Sequence, residues 1–229
     1  MWKMQRLKGV FIYLKDAYPM IAFVVFYLLS FRILEKVNRI KYYNIGIKLD
    51  EKIPFIPAFV IPYCFWFVYI IVVPVYLYIK DMNSYKRACL YYVFGCTLFI
   101  IISALYPNIL YLRPSSIDNT GICNKIVLAI WKSDTPTNVF PSIHVYNSVV
   151  ATVAMLKSNT KLGKNRYIRV SCIVTAILIS LSTIFIKQHS LMDVTGGLVL
   201  AIIGYKLVYN KVPIIQWLRK NRPYLTINN

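Results

Sequence analysis

Apolar residues fall in six long blocks separated by polar, largely basic connections. The blocks run roughly Tyr18–Leu34, Phe55–Ile79, Cys89–Tyr106, Pro141–Leu156, Val170–Ile186 and Leu191–Val208. About twenty helical residues cross a typical bilayer. Each block is therefore expected to span, the fourth and fifth drawing on their flanks to reach across. Pro54, Pro57, Pro62 and Pro74 crowd the second block and predict an irregular start or a kink. Before the first block, MWKMQRLKGVFIYLKD alternates basic and apolar residues. Residues 1–17 read as an amphipathic segment lying in the interface. With no cleavage site after a short apolar core, they do not read as a secretory signal peptide. There is no internal repeat. The expectation is an all-α polytopic membrane protein, a six-helix bundle forming one membrane domain over residues 1–229.

Composition supports this reading. Of the 229 residues, 58% are hydrophobic and 15% charged, against about 25% charged in a soluble domain. The net charge of +19 would suggest nucleic acid on a soluble chain. Here Lys and Arg cluster between apolar blocks, where they set topology and meet anionic headgroups. The expected partner is the lipid bilayer, not nucleic acid. Basic residues concentrate in the N-terminus, the second and fourth connections and the C-terminal tail. The positive-inside rule then puts both termini in the cytoplasm and the third and fifth connections outside, in the cell membrane. The first connection departs from that pattern, with six basic residues from Arg32 to Lys52 beside Glu35, Asp50 and Glu51. Cys64, Cys89, Cys96, Cys123 and Cys172 show no metal or disulfide spacing and read as small apolar side chains.

Three short stretches carry chemistry. In FIKQHSLMDV, residues 185–194, Lys187, His189 and Asp193 interrupt apolar sequence. Ionisable groups beside hydrocarbon are costly and mark function by default. His189 and Asp193 are four apart, which puts them on one helical face. A carboxylate at hydrogen-bond range fixes the imidazole tautomer and makes the ring more basic. The bland reading is a histidine paired with an acid only to lower its burial cost. In FPSIH, Pro141 suits a first helical turn, and the N–H groups of Ser142, Ile143 and His144 would bind phosphate at the helix start. The bland reading is a capping serine. In LYLRPSS, Arg113 offers a planar fork to phosphate oxygens where the chain leaves the membrane. The bland reading is a snorkelling arginine.

R-P, then P-S-x-H, then H-x-x-x-D, in order and on one membrane face, resembles the type 2 phosphatidic acid phosphatase (PAP2) superfamily over about residues 107–200. The resemblance implies that His189 attacks phosphorus, Asp193 orients it, and His144 protonates the leaving oxygen. It also implies that Arg113 and Ser142 bind phosphate, with the N–H of Ile143 beside them, and that no metal or other cofactor is needed. Three positions depart from the family pattern. Tyr106 stands where a lysine is usual, Thr183 where an arginine is usual, and Ile143 where glycine is common. Lys187, Lys125 or Lys132 could supply the missing charge. The departures also resemble the inositol phosphorylceramide and sphingomyelin synthase branch, which passes a phospho-headgroup to a lipid alcohol. The expected function is therefore a lipid phosphatase acting on a phosphomonoester or diphosphate lipid through a phosphohistidine, with headgroup transfer as the alternative. Two other classes remain open: a haem or metal binder using the two histidines, and a non-catalytic membrane protein. In KSDTPTNV, Asp134, Thr135 and Thr137 read as turn and cap residues.

Overall fold

The computed structural model describes residues 2–37 and 39–210, with side chains from Asp16 onward. In chain order the elements are α1 (Trp2–Lys36), β1 (Tyr43–Asn44), α2 (Lys48–Glu51), a 3-10 turn (Pro57–Phe59), α3 (Val60–Lys80), α4 (Met82–Leu105) and β2 (Asn108–Ile109). Then come α5 (Ile122–Ser133), α6 (Ile143–Lys157), α7 (Lys161–Lys164), α8 (Arg166–Phe185), α9 (Leu191–Tyr205) and a π-helical turn (Lys206–Asn210).

All six apolar blocks are helices. Among the described residues, five stretches are long and apolar enough to cross a membrane: Asp16–Lys36, Pro57–Lys80, Met82–Leu105, Arg166–Phe185 and Leu191–Asn210. The fourth block differs. As α6 it has 15 residues, a length of about 22 Å, and it is enclosed by α3, α4, α8 and α9. Small residues make that enclosure possible, since Ser148, Ala151 and Ala154 are buried to 0% exposure and let neighbouring backbones approach. From α4, Gly95 donates its N–H to Tyr146 Oη at 3.1 Å. A Cβ at Gly95 would lie 2.0 Å from that ring, so only glycine fits. The expected sixth span is thus the core helix around which the others pack.

α1 runs unbroken from Trp2 through Pro19 to Lys36, and its span-capable part is Asp16–Lys36. The amphipathic character of residues 1–15 lies outside the described side chains. α1 is peripheral: it packs on α4 through Tyr27 and Phe31 against Phe99, and Asp16 pairs with Lys86 at 2.9 Å. The prolines of the second block act at its start, in the 3-10 turn, while α3 passes Pro74 without a break.

At one end of the bundle α1, α4 and α8 finish and α3, α6 and α9 begin. Their connections form a polar layer there. β1 pairs in parallel with β2, Tyr43 opposite Asn108 and Asn44 opposite Ile109, and Ile109 bridges to Thr137. The sequence did not point to α5, whose short apolar run Ile126–Trp131 is flanked by Asn124, Lys125 and Lys132. It buries Val127 beside Val60, Tyr63 and Ile186, and Trp131 packs against Phe55 with ring centroids 5.6 Å apart.

Candidate active site

The helix starts and one turn build the site. α6 begins at Ile143 with Ser142 as its cap, its Oγ accepting the Val145 N–H at 3.4 Å. Pro141 therefore precedes the cap and is not the first helical residue. The Ser142 N–H donates to the Asp193 carbonyl at 3.0 Å, tying α6 to α9. The N–H groups of Ile143 and His144 are left in the first turn, where no intrahelical acceptor exists. After α8 the chain turns tightly: Gln188 and His189 both donate their N–H to the Thr183 carbonyl, at 2.9 and 3.0 Å. Lys187 takes φ 57° in this turn. Ser190 then caps α9, accepting from Met192 N at 3.0 Å, while Asp193 Oδ2 accepts the Ser190 N–H at 2.8 Å. This reciprocal capping holds the Asp193 carboxylate rigidly.

That same oxygen lies 3.3 Å from His189 Nδ1, and His189 Nε2 lies 3.3 Å from His144 Nδ1. Asp193, His189 and His144 form one hydrogen-bonded chain, with Asp193 fully buried and His189 7% exposed. An ionised carboxylate only accepts, which places a proton on His189 Nδ1. Its Nε2 then carries a lone pair and accepts from His144 Nδ1–H. In that tautomer His189 Nε2 and His144 Nδ1 face each other across 3.3 Å.

Arg113 reaches the same end from the third connection. Its guanidinium donates to the Trp131 carbonyl at 3.0 Å, to the Asp134 carbonyl at 2.9 Å and to Gln188 Oε1, and it lies over the Trp131 ring. Its Nε is buried without a partner. Gln188 in turn donates to Asp134 Oδ2 at 3.2 Å and to Tyr63 Oη at 3.4 Å. Burial pulls the guanidinium below its ordinary pKa and pushes the Asp134 carboxyl up. Asp134 is therefore more than a turn residue: it is part of the polar layer that holds Arg113 beside the histidines.

The structure brings together His189, Asp193, His144, Ser142 and Ile143, with Arg113 joined to them through Gln188. It does not bring in the Lys187 ammonium, which donates to the carbonyls of Asp50 and Ile53 at 2.9 and 2.6 Å. Burial lowers the pKa of that amine, offset in part by the Asp50 charge. Lys125 and Lys132 are exposed on α5. Tyr106 stacks on Tyr43 at 4.6 Å, and Thr183 serves through its carbonyl.

Four residues around the site were not anticipated. Asp50 is 1% exposed, and its carboxylate accepts from Ile47 N at 2.8 Å and Leu191 N at 2.9 Å. Asn108, fully buried, accepts from Val139 N at 2.8 Å and Phe140 N at 3.0 Å, fixing the approach to Ser142. Tyr63 and Trp66 of α3 pack on the His144 ring, with centroids 4.6 and 4.2 Å away. The only sequence signal for these residues was polar or aromatic character inside or beside an apolar block.

Comparison with protein families settles the kinship. The PAP2 superfamily model matches residues 88–217, more than half the chain. The chain belongs to the PAP2 superfamily. This PAP2 protein is thereby a membrane enzyme of the lipid phosphatase or phosphotransferase type. Its matched stretch holds Arg113, Ser142, His144, His189 and Asp193, while Asp50, Tyr63 and Trp66 lie outside it. Neither the curated proteins nor the solved structures give a match.

Proposed function

We propose that this PAP2 protein is a lipid phosphatase that cleaves a phosphomonoester or diphosphate lipid through a phosphohistidine on His189. The observation that carries the reading is the buried Asp193–His189–His144 chain at one end of the bundle. A lipid phosphate enters from the bilayer and replaces the contact between the two imidazoles. Its oxygens meet the N–H groups of Ile143 and His144, the Ser142 hydroxyl and Arg113. His189 Nε2 bonds to phosphorus, the bond to the leaving oxygen breaks, and His144 protonates that oxygen. Fixed donors at the helix start stabilise the charge that develops on the other oxygens. Water then gives a proton to His144, attacks phosphorus and releases phosphate and free His189. Lys187 acts in this reading as a strut, because its ammonium already rests on two carbonyls. The positive-inside count supports a site on the outer face.

The test uses purified protein in detergent with EDTA, a panel of lipid phosphates and an assay of free phosphate. Release that is lost in both His189→Ala and His144→Ala supports the reading, and release that survives either substitution refutes it. A second reading, transfer of a phospho-headgroup to a lipid alcohol, is favoured by the engaged Lys187 and by the uncharged side chains at Tyr106 and Thr183. It predicts no phosphate release until diacylglycerol or ceramide is added, and then a new phospholipid.

A further inference from the structure

We propose that Tyr63 and Trp66 form an aromatic clamp that keeps His144 able to hold two protons, making them positioning residues for the acid step. The proposal rests on His144 being the general acid of the reading above. With His189 protonated at Nδ1, it is His144 that donates from Nδ1 across the 3.3 Å contact. A neutral ring that gave up this proton would become an imidazolate, so His144 must also be protonated at Nε2 to act as an acid. Besides any positive charge on His189, 3.3 Å away, two features oppose that second proton. His144 is the second residue of α6, at the positive end of the helix dipole, which disfavours a cation. It is also half-buried against packed side chains, and burial disfavours the charged imidazole.

The aromatic faces oppose both effects. Tyr63 lies 4.6 Å from the imidazole centroid at 28° to its plane, and Trp66 lies 4.2 Å away at 40°. Both are buried, at 2% and 8% exposure, and they are three apart on α3, which aims them at one neighbour. A cation within about 6 Å of such a ring is stabilised, most strongly by tryptophan and when desolvated. The other charged and titratable groups around His144 are few. Asp193 of α9 acts through His189, and Arg113 and Asp134 act through Gln188, which bonds Tyr63. α4 and α8 carry charge only at their far ends, at Lys86 and Arg87 and at Arg166 and Arg169. The clamp is thus the nearest contribution that favours a cationic ring without itself being charged.

The chain has two histidines, so ring-labelled histidine gives two assignable NMR titrations in detergent, with His189→Gln separating them. Trp66→Leu should lower the His144 pKa by about 0.5–1.5 units, and Tyr63→Leu should act in the same direction. Trp66→Phe keeps a π face and should restore most of the shift. The basic limb of the kcat profile should move down with the NMR value. Leu variants that titrate as wild type, or a Phe variant that shifts as far as the Leu one, would overturn the clamp. The NMR arm needs no turnover. A clamp seen there while His144→Ala remains active would refute the acid role and leave the clamp standing.

Discussion

Replacing Gly197 with alanine tests how closely the two catalytic helices must approach. Gly197 lies one turn beyond Asp193 on α9. A Cβ there would stand 2.7 Å from the Ser142 carbonyl oxygen and 3.1 Å from Val145 Cβ. The obstacle is backbone, so the helices must part. Moving from 2.7 Å to the 3.4 Å of an ordinary contact opens α6 from α9 by about 0.7 Å. The Ser142–Asp193 hydrogen bond, now 3.0 Å, would stretch to about 3.7 Å and be lost. Two effects compete. Alanine is favoured over glycine inside a helix by about 1 kcal/mol. Overpacking costs about 1–3 kcal/mol, and the broken hydrogen bond about 1 kcal/mol more. The clash wins, by about 1–3 kcal/mol net, which for a chain of this size lowers Tm by about 2–12 °C. The two imidazoles, 3.3 Å apart, separate with the helices, and misplacement on the scale of 1 Å costs about 10²-fold in rate. Phosphate release and thermal unfolding in detergent measure both. Gly121→Ala is the control, since the nearest atom to its Cβ would be 3.8 Å away. Wild-type turnover in Gly197→Ala with no loss of Tm would refute the reasoning.

Two further outcomes are expected. Asn108→Ala removes the acceptor of two buried N–H groups, which costs about 1–3 kcal/mol each if neither finds a new partner. If the start of α6 binds phosphate as proposed, the substitution should raise KM for the lipid phosphate more than it lowers kcat, because the approach to Ser142 loses its anchor, and steady-state kinetics showing the reverse would refute this. Asp81 caps α4, and burial alone would raise its pKa, but hydrogen bonds from Asn159 N and from Ser84 N and Oγ outweigh burial and lower it. Because the folded value is depressed, its stabilisation is present above the ordinary value of about 3.9 and fades as pH falls through the folded one. Thermal unfolding from about pH 6 to pH 2 should therefore show a shallower acid loss in Asp81→Asn than in wild type.

What could be read in the sequence was local. His189 and Asp193 are four apart and do meet, though His189 sits in the turn before the α9 cap and not on the helix face the spacing suggested, and Ser142 does stand at a helix start. The apolar blocks marked the helices in the same local way. Burial could not be read in this way. The fourth block was expected to span with help from its flanks, and nothing in it announced that its small residues let four helices close around it. Asp50 sits beside Glu51 in the same polar connection. One is buried under the catalytic turn and the other is exposed, and nothing local separates them. Lys187 looked like a replacement phosphate ligand because of its place in the chain, and its actual partners lie more than 130 residues earlier.

Those partners have a consequence for how the protein is made. The turn that carries His189 is pinned to the first connection by Lys187 on Asp50 and Ile53, by Leu191 on the Asp50 carboxylate, and by Ile56 on the Phe185 carbonyl. A ribosome adding about 5–20 residues per second takes roughly 10–30 s to go from one side of this latch to the other. Throughout that interval the early segment waits at the membrane surface with its docking groups unfilled. The latch is complete only when α9 has been made, since a chain cut short of it lacks the Leu191 contact to Asp50 and the Asp193 carboxylate that holds His189.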